Sequence, residues 1–247
     1  MIVGVIPARF AATRLPGKPL VDLEGQTMIE RVWRAAASCE QLDRVLIATD
    51  DDRIAAEAAR IGAEAVMTDP ELPSGTDRCY AAVLSLRSRP DIVINIQGDE
   101  PLLQPQVLTD LIRGLEATTA DVTTPVSRIV SAHDLTDPNI VKVAASAEGR
   151  ALYFSRSPIP HMRGASIDSW LERGPYWKHI GIYAYRTAAL ERHVSLPPTT
   201  LEQWESLEQL RLLSDGARFQ CVETSAPFIS VDTPEDADRV RVFLRQR

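Results

Sequence analysis

Short apolar runs alternate with helical patterns through the first hundred residues, and this alternation constrains the fold more than any other feature. Residues 2–6 (IVGVI), 44–50 (RVLIATD), 64–68 (EAVMT) and 91–97 (DIVINIQ) are β-prone runs of the continuous kind that parallel strands show when both faces are buried. Between them lie helical periodicities. In TMIERVWRAAASC, Met28, Ile29, Val32, Trp33 and Ala36 recur on one face, with Thr27 as N-cap and Glu30 three residues later. DRIAAEAARIG reads as a helix stopped by Gly62, and a third helix is predicted from about Asp77 to Arg87. Four strands alternating with helices predict an α/β fold with a doubly wound, mostly parallel sheet.

The second half changes character. Residues 122–129, 140–146, 150–155 and 179–186 are more alternating, which predicts a mixed or antiparallel extension. Residues 157–175 read as a long loop, 201–216 as one helix, 218–224 as a strand, and 234–247 as a C-terminal helix with Pro234 in its first turn. No repeat or linker interrupts the 247 residues, so a single domain is expected, with the extension around residues 125–190.

A net charge of −7 argues against nucleic acid or an anionic membrane as partner, since both require a broad basic footprint. Cys39, Cys79 and Cys221 are odd in number and far apart, and they read as free thiols. No signal peptide pattern opens the chain and no run reaches the roughly 20 apolar residues of a membrane span, so a cytoplasmic protein is expected.

Against that acidic background one loop stands out. VIPARFAATRLPGKPL (5–20) follows the first strand with Arg9, Arg14 and Lys18 and is stiffened by Pro7, Pro16 and Pro19. It is no Walker loop, because Lys18 precedes proline, and it lacks the glycines of a dinucleotide fingerprint. At the carboxyl edge of a parallel sheet, where open α/β folds bind ligands, such a loop suits a strongly anionic group. INIQGDEP (94–101) ends another buried strand in the same layer, placing the Asp99 carboxylate where it can hold a divalent metal against phosphates. In SVDTPED (230–236), the pattern alone assigns Asp232 to the cap of the last helix. SGTDRC (74–79) reads as a turn entering a helix, or as a strip facing a nucleotide base with Arg78. Arg156, His179, Glu208 and Gln209 would suit a polyhydroxy acid, although a lone strand histidine is more often structural.

Taken together, VIPARFAATRLPGKPL, PSGTDR, INIQGDEP, ALYFSR, HIGIYAYR, LEQLRLL and VDTPED resemble the 3-deoxy-D-manno-octulosonate (Kdo) cytidylyltransferases, in order and over nearly the whole chain. The resemblance implies a nucleotidyltransferase-type fold, a homodimer, and conversion of CTP and Kdo to CMP-Kdo and pyrophosphate for lipopolysaccharide synthesis. It implies that Arg9 and Lys18 bind the triphosphate and that Arg14 lies near both phosphates and sugar acid. Ser74, Gly75, Arg78 and Gln97 would form the cytidine site, while Arg156, His179, Tyr183, Glu208 and Gln209 line the Kdo pocket. Asp99 and Asp232 would hold Mg²⁺, against the cap assignment of Asp232. Ser230 departs from the glycine expected there, and HMRGASIDSW (161–170) follows the family only loosely. The alternatives are a cytidylyltransferase for sialic acid or 8-amino-Kdo, and a non-catalytic nucleotide-binding regulator, which would tolerate loss of both aspartates.

Overall fold

A computed structural model describes residues 1–11 and 14–246. Strand β1 (Ile2–Ala8) leads through a one-turn 3-10 helix at Lys18–Leu20 to α1 (Met28–Ala37), followed by β2 (Arg44–Thr49), α2 (Asp52–Ile61), β3 (Glu64–Met67), α3 (Gly75–Leu84), β4 (Ile92–Asn95) and α4 (Pro105–Glu116). Next come β5 (Val122–Arg128), α5 (Ala132–Thr136), β6 (Lys142–Ala145), β7 (Ala151–Ser155), α6 (Trp170–Arg173), β8 (Trp177–His179) and β9 (Tyr183–Arg186). The chain closes with α7 (Thr187–Ser195), α8 (Thr200–Glu205), α9 (Gln209–Ser214), β10 (Phe219–Glu223) and α10 (Pro234–Arg245).

The strands form one sheet in the order β3-β2-β1-β4-β9-β5-β8-β6-β7, with β10 also paired to β5. β3, β2, β1 and β4 run parallel, and the strands that join after β4 pair mainly antiparallel, giving the expected parallel half and its mixed extension. Alternate residues explain why the parallel half needs helices on both faces. Val3, Val5, Leu46, Ala48 and Val93 bury one face with Cys79, Ala82 and Val83 of α3 and Leu190 of α7. Ile6, Ile47, Ile92 and Ile94 bury the other, with Ile29 and Val32 of α1, Ile54 of α2 and Leu108 of α4. Each fully buried Val, Leu or Ile stabilises by about 1.5–3 kcal/mol, so this two-faced core is the main reason β1 and β4 hold their register.

Two predicted elements are divided. Residues 179–186 are not one strand: β8 and β9 lie along the same β5 partner, offset around Thr124 and Pro125. Pro125 has no N–H to donate, and Thr124 Oγ1 lies 2.8 Å from Ile182 O and 3.1 Å from Ile180 O, replacing the ladder at the break. Residues 201–216 are likewise two helices. Ser206 adopts a left-handed conformation (φ 51°, ψ 51°), so α8 stops and α9 starts in a new direction. The predicted loop at 157–175 contains the short helix α6, anchored by Trp170 stacked on Tyr176.

Candidate active site

Parallel pairing of β1 with β4 brings their carboxyl ends side by side, with Val5 opposite Asn95. The two loops of interest leave the sheet together. Gly98 approaches the first so closely that an added Cβ would sit 3.1 Å from Pro7 O. The first loop closes on itself, because Gly17 N–H donates to Phe10 O at 3.1 Å and Gly17 takes a left-handed φ of 69° against the Phe10 ring. That turn starts the 3-10 helix and aims Lys18 back at the strand ends.

Lys18 is the centre of the site. Its Nζ donates to Asp99 Oδ2 at 2.6 Å and to Asp232 Oδ1 at 2.8 Å. Arg14 reaches Asp232 Oδ2 at 3.1 Å, with its side chain 67% exposed. The C-terminal segment is drawn in by Val231 N–H, which donates to Asp99 O at 2.9 Å. Burial alone would lower the Lys18 pKa, but the two carboxylates outweigh it and hold the ammonium above its ordinary value. Burial likewise pushes Asp232 upward, and Lys18 with Arg14 reverses this, keeping its carboxyl below the usual range.

The cap assignment of Asp232 is corrected here. The N-cap of α10 is Thr233, whose hydroxyl accepts from Asp236 N–H while the Asp236 carboxylate accepts from Thr233 N–H. One residue of displacement along the chain frees the Asp232 side chain to face Lys18.

Two cavities meet at these residues. A smaller one of about 270 Å³ is lined by Arg9, Lys18, Gln97, Gly98 and Asp99. A larger cleft of about 830 Å³ shares Gln97 and Asp99 and extends past Gly75, Arg156, His179, Tyr183, Glu208 and Gln209. The expected phosphate and sugar residues thus fall on either side of one carboxylate pair. Ser74 is present as the N-cap of α3, accepting from Thr76 and Asp77 N–H, and Gly75 packs on Pro7. Arg9 donates to Leu72 O.

Arg78 stands apart from the expected cytidine set. It is 0% exposed, with its guanidinium donating to Asp50 Oδ2 at 2.8 Å and to Thr68, so it braces α3 against β2 and β3 rather than lining either cavity.

The side of the cleft expected to take the sugar is polar and partly unsatisfied. The Arg156 guanidinium is held by the carbonyls of Glu205, Pro138 and Ser206, and among the described residues no carboxylate forms an ion pair with it at the cleft. Burial drives the His179 pKa down to about 3, so the ring is neutral at physiological pH. Its Nε2 lies 2.9 Å from Thr124 Oγ1, whose own proton serves a carbonyl, which makes Nε2–H the donor. Burial also raises the Tyr183 phenol. Gln209 Nε2 and Glu100 Oε2 are buried with no hydrogen-bond partner among the described residues, and both residues line the cleft. A buried polar atom left unpaired costs about 1–3 kcal/mol, which a bound polar ligand recovers.

Sequence reasoning missed Glu100. Burial, with Asp99 beside it, pushes its carboxyl up to about 8, and Ser230 Oγ donates to its other oxygen. Glu100 lies within the INIQGDEP motif, but its contact with residue 230 is visible only in three dimensions.

Cations converging on a carboxylate pair, beside a polar cleft at a parallel-sheet edge, define a nucleotide-handling α/β protein. Comparison narrows the class. The sequence matches the cytidylyltransferase family over residues 3–219. It is 45% identical over 240 residues to the 3-deoxy-manno-octulosonate cytidylyltransferase of Cytophaga hutchinsonii, covering 97% of this chain and 96% of the relative. The enzyme of the same name from Porphyromonas gingivalis is 44% identical, covering 100% of this chain and 97% of the relative. The solved structure of CMP:2-keto-3-deoxy-manno-octonic acid synthetase complexed with CTP superposes with a TM-score of 0.91 at 40% identity, over 99% of this chain and 98% of that one. The chain belongs to the 3-deoxy-manno-octulosonate cytidylyltransferase family.

Proposed function

We infer that this chain transfers the cytidylyl group of CTP to the anomeric hydroxyl of Kdo, giving CMP-Kdo and pyrophosphate for lipopolysaccharide synthesis. The observation that carries this reading is Lys18 held between Asp99 and Asp232 where the two cavities join. The bond from the anomeric oxygen to the α-phosphorus forms as the bond to the bridging oxygen breaks. Pyrophosphate leaves with that electron pair, and the hydroxyl proton is released. Such transfer demands positioning and charge neutralisation rather than a covalent intermediate.

The residues divide this labour. Arg9 and Lys18 neutralise the triphosphate from the smaller cavity, and Arg14 adds charge at the boundary with the sugar. Ser74, Gly75 and Gln97 edge the cytidine. Arg156 pairs with the sugar carboxylate, while neutral His179, Tyr183, Glu208 and Gln209 exchange hydrogen bonds with its hydroxyls. Asp99 and Asp232 fit Mg²⁺, which takes one or two carboxylates and completes its shell with water and phosphate oxygens. When bound, the ion supplies counter-charge to the triphosphate and its leaving group.

We read the protein as cytoplasmic and homodimeric. Among the described residues no helix is long and apolar enough to cross a membrane. Leu152 is exposed on β7, the strand that ends the sheet, and an apolar side chain on such an edge is of the kind a second copy covers. Incubation with CTP and Kdo should yield one pyrophosphate per CMP-Kdo, with the product identified by mass spectrometry. Pyrophosphate without CMP-Kdo would contradict the assignment.

A further inference from the structure

We propose that Thr76 is a positioning residue that sets Glu208 for the acid sugar and ties the sugar pocket to the nucleotide turn, an inference that rests on the function given above. Thr76 is 5% exposed, and its Oγ1 donates to Glu208 Oε2 at 2.9 Å across 132 residues of sequence. The same oxygen accepts from Asn95 Nδ2 at 3.4 Å, so its proton is committed to Glu208. Thr76 itself cannot wander. Its N–H donates to Ser74 Oγ at 3.1 Å in the cap of α3, and the preceding Gly75 rests on Pro7, at the root of the cationic loop.

Glu208 has no comparable anchor. It is exposed in the cleft just after the left-handed Ser206, and among the described residues Thr76 is its one side-chain hydrogen-bond partner. A carboxylate with one oxygen fixed presents the other in a single orientation, which is what discrimination among sugar hydroxyls requires. Without the Thr76 hydroxyl the Glu208 side chain samples several rotamers, and acid-sugar binding carries the cost of ordering it.

The test is steady-state kinetics of wild type, Thr76→Val, Thr76→Ser, Glu208→Ala and the Thr76→Val/Glu208→Ala double variant with CTP and Kdo. Loss of a hydrogen bond to a charged group predicts a KM for Kdo raised roughly tenfold in Thr76→Val, with KM for CTP within about twofold of wild type. Thr76→Ser should restore it. In the Glu208→Ala background, Thr76→Val should cost less than about twofold more, because the acceptor it acts through is gone. Should Thr76→Val fold poorly once Asn95 loses its acceptor, Thr76→Ala leaves room for water there and reads the same split. An unchanged KM for Kdo, equal rises in both KM values, or full multiplicative losses in the double variant would overturn the proposal. Wild-type activity with neutral variants refutes Thr76 alone, whereas a wild type inactive on CTP and Kdo refutes the functional reading and this inference with it.

Discussion

Asp232→Asn separates a structural from a catalytic role at one carboxylate. The change is isosteric and removes the charge that faces Lys18 at 2.8 Å and Arg14 at 3.1 Å. Little stability should go with it. Lys18 keeps Asp99 at 2.6 Å, so no buried cation is orphaned, and the Arg14 side chain is 67% exposed, where such pairs contribute about 0–1 kcal/mol. The cap of α10 is untouched because Thr233 and Asp236 make it. A loss of about 1 kcal/mol or less corresponds to about 2–4 °C in melting temperature for a chain of this size. Turnover should suffer far more. A metal ion contributes several kcal/mol of charge stabilisation in the transition state, so losing a ligand predicts a fall of about a hundredfold or more. The readout is initial pyrophosphate release against Mg²⁺ concentration, alongside thermal melts. Thr233→Ala is the control: it should cost about 0.5–2 kcal/mol of stability and leave turnover in the folded enzyme intact. Wild-type rates for Asp232→Asn at limiting Mg²⁺ would refute the metal role and leave Asp99 alone in it.

Lys18→Ala should lower kcat/KM for CTP about ten- to a hundredfold, since it deletes charge-assisted bonds of about 1.5–3 kcal/mol and leaves Asp99 and Asp232 facing each other; wild-type saturation with CTP would remove the loop from the phosphate site. A pH dependence arises from His193, which is 1% exposed, has neither ring nitrogen hydrogen-bonded among the described residues, and has its pKa lowered by burial to about 4. Its folded value lies below the unfolded value of about 6.5, so the unfolded chain binds the extra proton, and its contribution is full above about pH 6.5 and fades as pH falls toward 4. Melts from pH 7 to 4.5 should therefore show His193→Leu losing less stability than wild type, by up to about 1.4 kcal/mol per pH unit, and parallel curves would contradict the assignment.

Much of the site was legible because local rules dominate it. Buried runs place residues 2–6 and 91–97 in a parallel sheet, and a parallel sheet places the loops leaving those strands at one edge, so Arg9, Lys18 and Asp99 meet without any knowledge of their contacts. The misreadings have a common cause in tertiary context. Residues 201–216 carry an unbroken helical pattern with no proline and no glycine before Gly216, and only packing puts Ser206 into a left-handed turn. The interruption between β8 and β9 depends on Thr124 and Pro125 of another strand. Asp232 was a matter of one residue: the D-T-P-E-D pattern fits a cap at either Asp232 or Thr233, and which one caps decides whether the carboxylate is free. Glu100 with Ser230, and Thr76 with Glu208, are pairs more than a hundred residues apart that no periodicity reveals.

The most direct test of the central claim is a matrix of kcat/KM values for pyrophosphate release, with CTP, UTP, ATP and GTP each offered against Kdo, 8-amino-Kdo, sialic acid and a sugar 1-phosphate. The proposed roles, a triphosphate on Arg9 and Lys18 and an acid sugar on Arg156, neutral His179 and Glu208, predict the highest value for CTP with Kdo, well above every other pairing. Activity confined to a sugar 1-phosphate with UTP, or a maximum at sialic acid, would contradict the account.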